Sequence, residues 1–142
     1  MTAAAPIILI EDDSDDVLTM QEALRDLNMD HKLIYFPDAI LAMKFLRETP
    51  VQPFLIISDL NMPFQHGLEF KKSIDADPEL KKKCIPFIFY STSALQDDVN
   101  RAFLHMSIQG FFKKASSYPE ILSDITAIIQ YWKKSKHPNS FL

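Results

Sequence analysis

Five short apolar runs punctuate the chain: Ile7–Ile10, Leu33–Phe36, Phe54–Ile57, Phe87–Tyr90 and Phe111–Phe112. Rich in Ile and Phe, they are too continuous to leave a wet face. They predict strands buried on both sides, as in a parallel sheet. Between them, apolar residues recur at helical spacing. Val17, Met20, Leu24 and Leu27 form one stripe, opened by acids, with Ser14 as the expected cap. Ala39, Ala42, Met43 and Leu46 form a second after Asp38, and it stops before Pro50. A shorter third runs from Leu68 to about Ala76, with Pro78 just beyond. Leu95, Val99, Ala102, Phe103 and Met106 form the fourth. Ile121, Leu122, Ile125, Ile128, Ile129 and Trp132 form the fifth, with Ser117 as cap and Pro119 in the first turn. Acids crowd the start of the first helix, and Lys133, Lys134 and Lys136 crowd the end of the last, as the helix dipole favours.

A β-α unit repeated five times implies a parallel sheet with helices on both faces, joined by right-handed crossovers. Ligands of such sheets bind outside the carboxyl ends of the strands, where the strand order reverses. Glu11 and Asp12 follow the first run, Asp59 ends the third and Lys114 follows the fifth, so all four are expected along that edge. Three carboxylates and one ammonium in one crevice make no sense as packing, because each added acid repels the others. They do make sense as a divalent-cation site holding one carboxylate ready to react.

Length and composition narrow the alternatives. A chain of 142 residues with 47% hydrophobic and 24% charged residues suits one globular domain with its own core. The expected division is a domain over residues 1–134 and a polar tail over 135–142, whose Phe141-Leu142 end is free to dock. A net charge of −4 argues against a general nucleic-acid binder. No run reaches the roughly 18 apolar residues of a membrane span, and Met1-Thr-Ala-Ala-Ala-Pro6 lacks a positive leader region. The one cysteine, Cys84, cannot form an internal disulfide, which points to the cytoplasm; it is expected to be a small hydrophobe near a strand start. Only two glycines are present, so neither a Rossmann nor a P-loop phosphate cradle can be built. The histidines His31, His66, His105 and His137 show no ligand spacing and are expected at the surface. Phe87, Phe89, Phe103, Tyr131 and Trp132 are expected in the core, with Phe103 and Trp132 as candidates for a dimer face.

Ile8-Leu-Ile-Glu-Asp-Asp-Ser14, Ile56-Ile-Ser-Asp-Leu-Asn-Met-Pro63, Pro86-Phe-Ile-Phe-Tyr-Ser91 and Gly110-Phe-Phe-Lys-Lys114 together resemble the signature segments of response-regulator receiver domains. The resemblance spans about residues 6 to 132. It implies a flavodoxin-like, doubly wound (βα)5 fold with strand order 2-1-3-4-5. Asp59 resembles the aspartate that accepts a phosphoryl group from a histidine kinase. Glu11 and Asp12 resemble the acidic pair that holds Mg²⁺, joined by Asp59 and the backbone carbonyl of Asn61. Lys114 resembles the lysine that pairs with the phosphoryl oxygens; Lys113 lies one position away, and the count of four from Gly110 favours Lys114. Ser91 and Phe111 resemble the hydroxyl and aromatic switch residues, and Asn61 and Ser93 occupy positions that tune the lifetime of the phosphoryl group.

The chemistry agrees with these roles. Mg²⁺ takes hard oxygen ligands and keeps several waters, phosphoryl transfer needs positioning and charge neutralisation above all, and Asp59 is a carboxylate nucleophile that forms an acyl phosphate. Departures from the family pattern include Phe111 at the switch position in place of the commoner Tyr, and two more. Ala115 replaces the usual proline after the lysine, and the segment His105-Met-Ser-Ile-Gln109 lacks the usual glycine.

The expected function is therefore a stand-alone response regulator, a signalling protein rather than an enzyme, which would self-catalyse phosphotransfer and slow dephosphorylation. Its expected partners are a sensor histidine kinase or phosphotransfer protein, an unidentified downstream protein, and a second copy through the face of the fourth helix, fifth strand and fifth helix. The alternative is a receiver-shaped interaction module that works without phosphate. A hydrolase built on Asp59 needs an acid two residues later, where Asn61 stands.

Overall fold

The computed structural model describes residues 4–138; the start of the N-terminal stretch and the Phe141-Leu142 docking expectation lie outside them. The strands are β1 (Ile7–Ile10), β2 (Leu33–Phe36), β3 (Leu55–Ser58), β4 (Phe87–Ser91) and β5 (Gly110–Lys113). All pair in parallel in the order β2-β1-β3-β4-β5. The order reverses at β1, between β2 and β3, as the alternation predicts.

Helices cover both faces: α1 (Ser14–Asp26), α2 (Ala39–Glu48), α3 (Gly67–Ala76), α4 (Pro78–Lys82), α5 (Gln96–His105) and α6 (Tyr118–Lys134). Two apolar layers result. One packs Ile8, Ile10, Ile56, Phe87 and Phe89 against α2, α3 and Ala102 of α5. The other packs Ile7, Leu9, Leu55, Ile57, Ile88 and Tyr90 against α1 and α6. Alternate residues of one strand thus feed opposite layers, which is why the central runs had to be continuously apolar.

Several expectations are corrected. There are six helices among the described residues, not five. Pro78 ends α3 but also opens α4, because Asp77 caps it by accepting from the backbone N–H groups of Glu79 and Leu80. The cap of α1 is Asp13 rather than Ser14; its carboxylate accepts from Asp15 and Asp16. The two edge strands are not fully buried: Tyr35 of β2 is 50% exposed and Lys113 of β5 is exposed. An edge strand is covered by fewer helices, so its side chains reach water.

Cys84 is exposed and sits in a left-handed turn (φ 49°) rather than in the core. Phe103 is exposed as well, as is Tyr131, so neither is a core residue; only Ala102 of α5 is fully buried. Two histidines also leave the surface. His31 is buried, stacks on Phe54 and donates from Nδ1 to the Ala5 carbonyl at 2.7 Å. His137 also stacks on Phe54 and donates to its carbonyl at 2.6 Å, which ties the start of the tail to the sheet.

Candidate functional site

The ladder carries on past the strand ends and fixes the site. The N–H of Glu11 donates to Phe36 at 3.0 Å, that of Asp59 to Ile10 at 2.9 Å, and that of Lys114 to Ser91 at 2.8 Å. Each of these three backbone positions is therefore held by a neighbouring strand. Glu11, Asp12 and Asp59 each offer a carboxylate oxygen, and these oxygens all lie within 4.8 Å of one another. That donor set suits a hard divalent cation, with the exposed Asp12 open to solvent and Glu11 and Asp59 buried behind it.

Asp59 is also tethered by its own loop. Its Oδ1 accepts from the N–H of Leu60 at 2.7 Å, and Gly67 closes the loop by donating to the Leu60 carbonyl at 2.6 Å. A Cβ on Gly67 would lie 2.6 Å from the Asp59 carbonyl oxygen and 2.9 Å from the Phe89 ring. No side chain fits there, so this position demands glycine for close approach rather than for its φ. Phe64 stands at the loop's tip with φ 69°, and the N–H of Gln65 donates to Pro63 across it.

Lys114, not Lys113, reaches the cluster. Its Nζ lies 3.6 Å from Asp59, 2.5 Å from Glu11 and 2.8 Å from Asp16. Burial alone would lower the pKa of this ammonium, but hydrogen bonds to Asp16 and Glu11 and the charges of Glu11 and Asp59 outweigh it and raise it. Glu11 is affected more visibly. Burial pushes its carboxyl up to about 7 from an ordinary 4.5, aided by the charge of Asp59 and opposed by Lys114.

Asp16 was absent from the expected site. It lies on α1 one turn before Met20 and two before Leu24, which are both buried, so an acid extends that inward stripe. That misplacement was the available signal.

Ser91 is fully buried at the end of β4, and its Oγ accepts from the N–H of Ser93 at 3.2 Å. Phe111 is half-buried on β5 and packs on Phe89, ring centroids 5.4 Å apart. Asn61 and Ser93 lie in the loops that follow Asp59 and Ser91.

A five-stranded parallel sheet in this order, with an acidic cluster at its reversal point and a lysine just past the last strand, defines a receiver. The chain belongs to the response regulator receiver domain family, whose model matches residues 7–126. It is 31% identical to response regulator Rcp1 of Synechocystis sp. over 131 residues, 89% of this chain and 87% of that protein. The crystal structure of the phosphorylated cyanobacterial phytochrome response regulator RcpA superposes with a TM-score of 0.85 at 30% identity, covering 96% of this chain and 100% of that one. The Mn²⁺-bound form of Rcp1 gives 0.83 at 30% identity over 95% and 99%. The protein is thus a two-component signalling protein, and its acidic cluster is compatible with the divalent cation that receivers bind. Among the described residues no helix is long and apolar enough to cross a membrane.

Proposed function

We propose that Asp59 accepts a phosphoryl group from the phosphohistidine of a sensor kinase or phosphotransfer protein, with Mg²⁺ held by Glu11, Asp12, Asp59 and the carbonyl of Asn61. The approach of three carboxylates to within 4.8 Å carries this reading. Left without a cation, they would repel both one another and an anionic phosphodonor. Mg²⁺ supplies charge neutralisation when bound. The chain's own groups do the rest. Asp59 attacks phosphorus through a carboxylate oxygen as the bond to histidine breaks. Lys114 stands 3.6 Å away, ready to pair with a phosphoryl oxygen.

Ser91 and Phe111 convert the added charge into a change of surface. The Ser91 hydroxyl turns toward the new acceptor oxygens, and Phe111, which packs on Phe89, shifts with it. The face of α5, β5 and α6 then alters its affinity for a downstream protein or a second copy. Asn61 and Ser93 flank the acyl phosphate and set its lifetime. The receiver unit spans residues 1–134 and the tail 135–142. We place the protein in the cytoplasm, with no direct nucleic-acid role. The likeness to RcpA supports a phytochrome-class kinase as the donor.

Incubation with a small phosphodonor and Mg²⁺ tests this by intact mass. One added phosphoryl group, acid-stable and base-labile, is expected. An unchanged mass beside a control receiver that does react would instead favour the phosphate-independent interaction module.

A further inference from the structure

We propose that Asp16 is the positioning residue for Lys114, and that it keeps the ammonium facing Asp59 once the cation has claimed Glu11. The inference rests on the reading of Asp59 as phosphoacceptor and Lys114 as its cationic partner.

Lys114 donates to two carboxylates, Glu11 at 2.5 Å and Asp16 at 2.8 Å. Their situations differ. Glu11 belongs to the group of three acids whose oxygens can share a cation, and Asp16 does not. A cation that draws on Glu11 therefore competes with Lys114 for it, while the bond to Asp16 is left intact. An ammonium has three N–H donors. With one on Asp16, two remain for the phosphoryl oxygens and for Glu11.

The lysine also needs such a restraint. Its stem has four rotatable bonds, and ordering them costs entropy at the moment of reaction unless it is done beforehand. Behind the site lies a cavity of about 50 Å³, lined by Leu9, Met20, Tyr90, Ile121 and Lys114 itself. It gives the side chain somewhere to retreat between α1 and α6. Asp16 lines the same cavity and accepts a hydrogen bond from the ammonium, which restrains it. Ala115 follows Lys114 and does not fix the backbone φ as a proline would, so the side-chain tether matters more.

The test exploits opposite signs. By Coulomb's law alone, removing a negative charge beside the site tightens binding of an anion. Loss of a positioning residue weakens it. Beryllofluoride binding in the presence of Mg²⁺ is titrated by ¹⁹F NMR for wild type, Asp16→Asn, Asp16→Glu and Asp15→Asn. Asp15 is a neighbouring exposed acid that does not touch Lys114 and so reports the field effect. We expect Asp16→Asn to bind about fivefold more weakly, Asp16→Glu to recover most of the loss, and Asp15→Asn to bind as tightly as wild type or tighter. Asp16→Asn binding as tightly as wild type, or tighter, overturns the proposal. Wild type failing to bind the mimic at all overturns the phosphoacceptor reading itself, and this inference with it.

Discussion

Glu11 faces two partners and an unfavourable medium at once. Lys114 and a cation both call for its carboxylate, while burial disfavours the charge and raises its pKa from 4.5 to about 7. In the unfolded chain Glu11 loses its proton near 4.5, but in the metal-free folded protein it keeps the proton until about 7. The folded state thus binds more protons across that window, and its stability falls as pH rises through it. Screening by solvent and the coupling to Lys114 reduce the loss to about 1–3 kcal/mol. Thermal melts of metal-free protein at pH 5 and pH 8 should show it, and Glu11→Gln should flatten the difference. Cation binding runs the other way: it needs the carboxylate, so affinity for Mg²⁺ should tighten as pH rises through about 7. Gly67 makes a second prediction. The Cβ of Gly67→Ala would meet the Asp59 carbonyl oxygen at 2.6 Å. It should cost about 1–3 kcal/mol and slow phosphoryl uptake, because the displaced backbone is that of the proposed acceptor. Asp59 and Lys114 could be read from the sequence because each ends an apolar run. Gly67 and Asp16 could not be read so directly, because their demands arise from contacts between segments far apart in the chain.

Among the elements, the five strands and the stripes of α1, α2 and α6 were legible because burial on one or both faces fixes their periodicity. The helix α5 was legible in outline only. Its apolar positions suggested an inward stripe, yet Leu95, Phe103 and Leu104 are exposed and Ala102 alone is fully buried. Periodicity marks an apolar face without saying what covers it. The helix α4 was missed because it is only five residues long and too short for a stripe; its legible signal was the pair Asp77-Pro78, a cap followed by a residue suited to the first turn. Asp77 caps α4 and also accepts from Arg47 of α2 at 3.1 Å. Asp77→Ala should lower the melting temperature by a few degrees, while Asp77→Asn should retain most of the stability. Neither should affect phosphoryl uptake, since the cap lies at the far end of α3 from Asp59.

On the proposed reading, the whole molecule separates reception from output. The acidic cluster lies along one sheet edge, while the weakly buried α5 and the half-buried Phe111 lie to one side of it. An element with few buried contacts shifts at small cost, which suits it to report a change at Asp59. Phe103→Asp with Leu104→Asp should therefore leave phosphoryl uptake unchanged but abolish any change of assembly that beryllofluoride produces, as read by sizing with and without the mimic. The central claim is that the fold gathers distant acids around a cation and leaves Asp59 as the group that reacts. Phosphorylation in Mg²⁺, reduction of the acyl phosphate by borohydride and peptide mass mapping tests it most directly. The account predicts homoserine at residue 59 alone, lost when Mg²⁺ is chelated; homoserine at another acid, or labelling that survives chelation, would contradict it.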